Sequence, residues 1–329
     1  MNEQTRLLPH SRLGWLLLAA LLACLVAAPH FVSIYHTELI TTAMIAAMLA
    51  LSLQLLVGGT GLVSLSHGAF YGLAAYVVYL ISPEAAARPI WQTLPAAMLV
   101  AGLAALLVGS LSLRTKGFFF LMVTLAFGQM IFFVFHDTKL GGGTDGAYLG
   151  KPLIQAFGAS LDLPRRQRPL GPYYVALIQL TLMYVGLALL MRSLFGRILE
   201  GIRANEHRMR AIGFDTYRYK LTTFVIAGML AGASGHMWAM HRGFVNPELI
   251  SWHKSAEALL MILLGGLGSL AGPIVGALAY TALGEFSQLV TERKLLVEGL
   301  VILAVVLVLP RGLTGLARRR KAAELGPDG

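Results

Sequence analysis

Long apolar runs without charged residues recur along the whole sequence. Leu13–Ala28 and Leu39–Val57 contain no Asp, Glu, Lys or Arg. A bilayer core of about 30 Å needs roughly 20 apolar residues for each helical span. The pattern therefore predicts an all-α fold, a polytopic helical membrane protein with about nine or ten transmembrane segments. The predicted spans are Leu13–Ile34, Leu39–Val57, Leu62–Ser82, Leu94–Leu113, Gly117–Phe135, Tyr173–Met191, Leu221–His241, the longer region Ala256–Gly284, and Leu289–Leu309.

The region Ala256–Gly284 is too long for one comfortable span. Glycines and a proline interrupt it between Gly265 and Pro273, and such residues break helices. With a cytoplasmic N-terminus, a single crossing here would leave the basic cluster Arg318–Lys321 outside. Lys and Arg favour the cytoplasmic side. We therefore predict a broken or re-entrant helix near residues 256–284, which returns the C-terminal tail to the cytoplasm.

Composition narrows the class of protein further. Of the 329 residues, 57% are hydrophobic and 13% are charged, against roughly 45–50% and about 25% in soluble domains. This excludes a soluble enzyme, a disordered chain and a disulfide scaffold, and the single Cys24 cannot form an internal disulfide. The net charge of +10 is typical of cytoplasmic loops that face anionic lipid headgroups, so no nucleic-acid partner is predicted.

Motifs for membrane enzymes are weak in this sequence. Gly232-Ala233-Ser234-Gly235, followed by His236, resembles the serine motif of intramembrane proteases. The favoured interpretation is that Gly228, Gly232 and Gly235 form a small-residue face for close helix packing. The sequence contains no His-Glu-x-x-His metal pair and no phosphate-binding loop. We therefore expect no catalytic residue, no metal and no cofactor bound by this chain.

The predicted spans contain few ionisable residues. Glu257, Glu285 and Glu298 all fall near predicted span ends. Carriers and pumps that use an ion gradient usually place ionisable groups inside their spans. Energy for any transport would therefore come from a separate chain. The basic, partly amphipathic loop Arg192–Lys220 predicts a short cytoplasmic helix for docking a partner, with a lipid-surface helix as the alternative.

One internal repeat is possible. Gly61–Leu65, followed by glycines and Tyr76, is similar to Gly266–Leu270, followed by glycines and Tyr280. Transporters often contain such repeats, but a chain rich in Gly and Leu produces similar strings by chance. Both interpretations stay open.

Several stretches together resemble one family. Gly61–Tyr76, with its core Ser64–Phe70, resembles the early signature of LivM-type permeases of branched-chain amino-acid ABC importers. The resemblance extends in order from about Gly58 to Leu316. The other matching stretches are Gly142–Gly146, Phe195–Arg197, Ile202–Glu206, Arg210–Gly213, Tyr219–Leu221, Leu259–Ala277 and Pro310–Leu313.

The resemblance implies a permease subunit of an ATP-driven importer for branched-chain or related hydrophobic amino acids. It implies a second permease subunit, two ATPase subunits that use the ATP, and a periplasmic substrate-binding protein as partners. By this resemblance the coupling segment contains Glu206, Arg210, Ala211 and Gly213. The segment departs from the widespread Glu-Ala-Ala…Gly coupling motif, because His207 and Arg208 occupy the two small positions. The alternatives are a similar importer of urea or short amides and a free-standing secondary carrier.

The predicted spans and the placement of Lys and Arg imply an organisation for the chain, which the resemblance would place in the bacterial inner membrane. We expect residues 1–12 to form a cytoplasmic tail, residues 13–309 the transmembrane permease domain, and residues 310–329 a basic cytoplasmic tail. Within the domain, 192–220 is the cytoplasmic coupling loop and 136–172 the periplasmic loop. Residues predicted to line or gate the path are Ser64, Ser66, His67, Gln129, Gly142, Gly143, Asp145, Gly265, Gly266 and Gly268.

Overall fold

The computed structural model describes most of the chain. The described residues are 25–82, 89–138, 140–149, 155–156, 159–160, 170–267 and 269–290, together with 296–297, 299–300, 303 and 312–313. Most of the predicted spans Leu13–Ile34 and Leu289–Leu309, and all of Arg318–Lys321, lie outside the described residues.

The described part of the chain is almost entirely helical. The helices are α1 (Ile34–Thr60), α2 (His67–Ile81), α3 (Ile90–Ser112), α4 (Phe118–Asp137), α5 (Leu170–Arg192), α6 (Leu194–Ala204), α7 (Glu206–Ala211), α8 (Thr216–Arg242), α9 (Trp252–Gly265) and α10 (Gly272–Val290). Short 3₁₀ turns occupy Gly143–Asp145 and Pro247–Ile250. The two-residue strands are β1 (Ala147–Tyr148), β2 (Gln155–Ala156), β3 (Ala159–Ser160) and β4 (Phe244–Val245). β1 pairs antiparallel with β4, and β2 pairs antiparallel with β3.

The helices confirm a polytopic helical membrane protein. α1, α3, α4 and α5 are each long and apolar enough to cross a bilayer, and α2 is a shorter apolar helix. Of the most apolar window of α1, 83% is buried inside the protein, against 22% for α4. α1 therefore lies in the centre of the bundle, and α4 lies at its lipid-facing edge. Exposed side chains such as Leu107, Phe119 and Leu182 are suited to lipid contact.

Small residues let α8 pack closely against its neighbours. A Cβ atom placed on Gly232 would lie 2.5 Å from the Cβ atom of Ala101, and one on Gly235 would lie 1.9 Å from the carbonyl oxygen of Tyr71. Ser234 donates a hydrogen bond to the carbonyl oxygen of Ile45 at 2.8 Å. These contacts confirm that the glycine-rich motif serves helix packing.

α2 begins halfway through the bundle. α1 ends at Gly61, whose φ of 75° is left-handed, and the chain then runs without helix to His67. One turn into α2, Phe70 lies beside Gly228, close to the midpoint of α8. The predicted span Leu62–Ser82 therefore begins with a non-helical stretch. There the backbone N–H of Ser66 donates a hydrogen bond to Ser64 Oγ at 3.3 Å, and such a local bond competes with helix formation.

α9 begins at the same depth, because it meets the start of α2. α8 ends at Gly243, with a φ of 65°, and the chain returns through β4 and a 3₁₀ turn to Trp252. The backbone N–H of Gly68 donates to Ser255 Oγ at 2.7 Å. Ser255 Oγ in turn donates to the carbonyl oxygen of Leu65 at 2.8 Å. The N-termini of two short helices therefore meet near the middle of the bundle.

These elements form a structural repeat. α1 and α8 both contain 27 residues and both end at a left-handed glycine. A non-helical return and a short helix follow each of them, of 15 residues in α2 and 14 in α9. This repeat pairs α1–α2 with α8–α9. It differs from the similarity between Gly61–Tyr76 and Gly266–Tyr280, which would pair the start of α2 with the start of α10.

The predicted break within residues 256–284 is confirmed. α9 ends at Gly265 and α10 begins at Gly272. A Cβ atom on Gly265 would lie 1.8 Å from the carbonyl oxygen of Gly272, and one on Gly276 would lie 1.8 Å from that of Met261. α9 and α10 therefore form an antiparallel helical hairpin in which the two backbones are in contact. Only glycine fits at these contact positions, because a Cβ atom would overlap the facing backbone.

Glu257 lies in the second turn of α9, near the start of that helix, and pairs with Lys254 at 2.8 Å. Its place relative to a membrane surface stays a prediction. The return of the chain between Gly243 and Trp252, which leads into α9, was not visible in the hydrophobic pattern.

Candidate translocation path and coupling segment

The structure brings three of the predicted path residues together. Ser64, Ser66 and His67 are fully buried where the two short helices meet. The hydroxyl oxygens of Ser64 and Ser66 lie 3.0 Å apart. The ring of His67 packs edge-on against Phe70 and Phe224, with ring centroids 5.8 and 6.0 Å away. No hydrogen-bond partner among the described residues reaches either ring nitrogen of His67.

Sequence reasoning missed two residues at this junction. Thr124 Oγ1 on α4 accepts a hydrogen bond from the backbone N–H of Leu65 at 3.2 Å, and Ser255 bridges Leu65 and Gly68. Gln129 lies on α4 and is only half-buried, and no described hydrogen bond joins it to the junction. A single Thr or Ser within an apolar run gives no signal that distinguishes it from the hydroxyls that bond within their own helix.

The glycines at residues 141–146 form a tight turn beside the β1–β4 ribbon. Gly142 and Gly143 have φ angles of 87° and 62°. A Cβ atom on Gly142 would lie 2.0 Å from the carbonyl oxygen of Gly146, so no larger residue fits there. Asp145 is exposed. The turn therefore needs its glycines for its backbone, and only Asp145 presents a charged side chain.

The other predicted glycines lie in the α9–α10 hairpin. Gly265 is in the contact between the two helices, and Gly266 has a φ of 110° and caps α9. Gln54 Nε2 on α1 donates to the carbonyl oxygen of Leu267 at 2.9 Å, which fixes the hairpin turn to the central helix. Gly268 lies outside the described residues.

The loop Arg192–Lys220 forms two short helices, α6 and α7, where one was predicted. α6 is amphipathic, and its apolar residues Leu199 and Ile202 are buried. Arg203 Nη1 donates to the carbonyl oxygen of Gly58 at 2.7 Å, so α6 is fastened to the end of α1. Protein rather than lipid covers the apolar face of α6, which contradicts the alternative of a lipid-surface helix.

None of the side chains of α7 is buried, and a group of polar contacts joins this helix to α8. Glu206 is the centre of these contacts. Its Oε1 accepts from Arg210 Nη2 at 2.5 Å and from Thr216 Oγ1 at 3.0 Å, and its Oε2 accepts from Lys220 Nζ at 2.5 Å. Arg210 Nε also donates to Thr216 Oγ1 at 2.8 Å. The network ties α7 to the first turns of α8.

Opposing effects set the charge state of Glu206. Partial burial raises the pKa of its carboxyl, but the hydrogen bond and charge of Lys220, the hydrogen bond of Thr216 and the charge of Arg210 together lower the pKa below its ordinary value. Glu206 is therefore an anion at neutral pH. Ala211 and Gly213 are exposed at the tip of the loop, where Gly213 has a φ of 102°. Beside them Ile212 is 65% exposed.

This architecture, with central half-helices and an external helix fixed to the bundle, has counterparts among known proteins. A profile of the permease component of branched-chain amino acid transport systems matches residues 35–306. The chain belongs to this permease family. It is thus an integral membrane transport subunit that works with other components of an ABC transporter.

The curated relatives agree with this family. The chain is 31% identical over 323 residues to the high-affinity branched-chain amino acid transport system permease protein LivM of Escherichia coli, an alignment that covers 92% of this chain and 75% of the relative. It is 24% identical to the LivH permease of Salmonella typhimurium, over 82% of this chain and 91% of the relative. It is 30% identical to the autoinducer 2 import permease LsrC of Klebsiella pneumoniae, over 55% and 57%. No solved structure matches the chain.

Proposed function

We propose that this permease forms a translocation path for branched-chain amino acids across the bacterial inner membrane, with both termini in the cytoplasm. In this proposal a periplasmic binding protein delivers the substrate, a second permease subunit completes the path, and two ATPase subunits bind and hydrolyse the ATP. The similarity to LivM and LivH, both permeases of branched-chain amino acid transport systems, supports the choice of substrate.

In this proposal, the contacts between α7 and α8 transmit the movement of the ATPase subunits to the path. Glu206 joins α7 to Thr216 and Lys220 at the start of α8, and the middle of α8 packs against α2 through Gly228 and Gly235. A packed helix transmits force because close-packed interiors deform little. Movement of an ATPase against α7 would therefore reach the place where the short helices meet.

The gate in this proposal is the junction of α2 and α9. Ser64, Ser66 and His67 line it, and the bonds of Ser255 to Leu65 and Gly68 hold it closed. Separating the two helix ends would break these two hydrogen bonds and the close contact of Gly68 with Ser251. Gln129, the hairpin glycines Gly265, Gly266 and Gly268, and the outer turn with Gly142, Gly143 and Asp145 are the flanking elements of the path.

The test is purification from native membranes followed by transport in liposomes. We expect the chain to co-purify with ATPase subunits and a second permease, and to import leucine only with ATP inside and loaded binding protein outside. Purification of the chain alone, with uptake driven by an ion gradient, would replace the importer by a secondary carrier. ATP-dependent uptake of an amide or urea instead of leucine would change the substrate only.

A further inference from the structure

A cavity of about 450 Å³ lies between α1, α8, α9 and α10. Its volume is within the roughly 300–1,000 Å³ typical of small-molecule sites. Exposed residues, including Glu38 and Arg242, lie at its mouth, and buried Ile45, Leu49 and Met261 line its inner part. Along α1 it extends from Tyr35 to Leu49, about 21 Å at the helical rise of 1.5 Å per residue.

The inner end of this cavity reaches the proposed gate. Lys254 lines the cavity, and its Cβ atom would lie 3.0 Å from a Cβ atom placed on Gly68. Gly68 is the residue that bonds Ser255 where α2 and α9 meet. The cavity therefore connects the end of the bundle near the β1–β4 ribbon with the junction of the short helices.

The walls of the cavity carry charges of both signs. Lys254 Nζ and Glu257 Oε2 form an ion pair at 2.8 Å, with side chains 26% and 32% exposed. Arg242 lies 5.2 Å from the ring centre of Trp238, and within the described ranges no carboxylate forms an ion pair with it. Glu285 accepts a hydrogen bond from the hydroxyl of Tyr35. A guanidinium without a counter-ion is a strong partner for a carboxylate.

This combination fits one chemical class of ligand. A zwitterionic amino acid presents a carboxylate, an ammonium and a side chain, and the cavity offers cations, carboxylates and an apolar inner wall. The zero net charge of such a ligand also matters. A zwitterion that separates Lys254 from Glu257 gives each of them a new partner of opposite charge, so neither half-buried charge is left unpaired.

We propose that this cavity is the amino-acid binding site of the permease. Arg242 receives the carboxylate at the mouth. Lys254 and Glu257 then open their ion pair to hold the carboxylate and the ammonium, while Ile45, Leu49 and Met261 contact the aliphatic side chain. The assignment rests on the proposed function, because it names the residues that would bind the proposed substrate.

The decisive variant removes both members of the ion pair, Lys254→Met with Glu257→Leu. A structural ion pair replaced by apolar residues of similar volume is often neutral for stability, whereas a binding pair is lost. In the complete transporter we expect normal membrane content, normal co-purification of the ATPases, and leucine uptake reduced by roughly tenfold or more, the loss that follows removal of charge-assisted bonds. Wild-type uptake and KM in this variant would overturn the proposal.

Two further variants separate charge from structure. Arg242→Gln should raise the KM for the loaded binding protein or lower the maximal uptake, and Arg242→Lys should restore much of the activity. Glu248→Gln is the matched control, because Glu248 is exposed and does not line the cavity. Arg242→Gln with uptake equal to that of Glu248→Gln would contradict the role of the guanidinium.

Cysteine labelling tests the cavity even if the double variant fails to assemble. In a Cys24→Ser background, Ala46→Cys on the cavity wall should react with a membrane-impermeant cationic methanethiosulfonate, and leucine-loaded binding protein with ATP should slow the reaction. Gly186→Cys is the negative control: this position on α5 is exposed on the same face as Leu182, which is suited to lipid contact, so the charged reagent should not reach it. Equal labelling with and without substrate would exclude the cavity from the path. If wild-type protein imports no leucine, the proposed substrate fails instead.

Discussion

Glu206→Gln is expected to release α7 from α8 without unfolding the bundle. The substitution keeps the size of the side chain but removes the negative charge that Arg210, Thr216 and Lys220 share. The new amide NH₂ group would face a cation. α7 contains six residues and none of them is buried, so the packing of half-buried Met209 against Gly201 compensates little. A helix of this length is not stable alone.

The magnitude follows from the exposure of the partners. Arg210 is 47% exposed, so its pair contributes at most about 1 kcal/mol. Lys220 is only 15% exposed, and a hydrogen bond between charged groups contributes about 1.5–3 kcal/mol. The change therefore costs about 2–3 kcal/mol of local stability, which corresponds to a roughly 30- to 150-fold larger population of detached α7.

Hydrogen exchange and ATPase activity measure this detachment. We expect faster exchange at residues 206–214 and a smaller stimulation of ATP hydrolysis by loaded binding protein, with the thermal midpoint of the bundle unchanged. Arg218→Gln is the control, because Arg218 pairs with Asp215 in the same loop but is 84% exposed. Exchange in Glu206→Gln no faster than in Arg218→Gln would refute the reasoning.

Three further predictions concern packing and charge. Gly235→Ala should lower the thermal midpoint of the detergent-solubilised protein, because the new Cβ would overlap the carbonyl oxygen of Tyr71 at a cost of about 1–3 kcal/mol, whereas Gly186→Ala should not lower it. Ser234→Ala should retain transport and lower the free energy of unfolding by about 0.5–1.5 kcal/mol, because it removes one hydrogen bond. Loss of transport in a normally folded Ser234→Ala variant would instead point to a functional role for this hydroxyl. The contribution of Glu206 to stability is complete above the ordinary carboxyl pKa of 4.5 and is lost as the pH falls through its lowered folded value. Protection of α7, corrected for intrinsic exchange, should therefore be constant from pH 8 to pH 5, and a decline within that range would contradict the network.

The hydrophobic pattern located most helices, because a span that faces lipid must be apolar over its whole length. α3, α4 and α5 lie close to their predicted bounds for this reason. The return of the chain between Gly243 and Trp252 was missed, since protein rather than lipid surrounds it and no hydropathy rule applies to backbone buried in protein. The first five residues of the predicted span Leu62–Ser82 are not helical for the same reason, because residues inside the bundle need not be helical where side chains such as Thr124 and Ser255 satisfy the backbone.

The predicted coupling residues could be found from the sequence more readily than the charged residues of the cavity. Glu206 and Arg210 are four residues apart on a predicted helix, a spacing at which opposite charges meet, but their link to Lys220 required the turn that the structure places between α7 and α8. The charged residues that line the cavity form no local sequence pattern that would predict a site. Arg242, Lys254 and Glu257 lie on two different helices, and Glu38 and Glu285 on two others, so only the fold brings them together.

The proposed site accounts for how a chain with few ionisable residues in its spans would handle a zwitterion. A lone charge inside a membrane protein is costly, and the ion pair of Lys254 with Glu257 reduces that cost when no substrate is present. In the proposed site, an ion of one sign would pair with one of these residues and leave the other without its counter-ion. The site would therefore favour molecules that carry both charges. In the same proposal, Ile45, Leu49 and Met261 would contact the aliphatic side chain, and movement passed from α7 to α8 would give transport its direction.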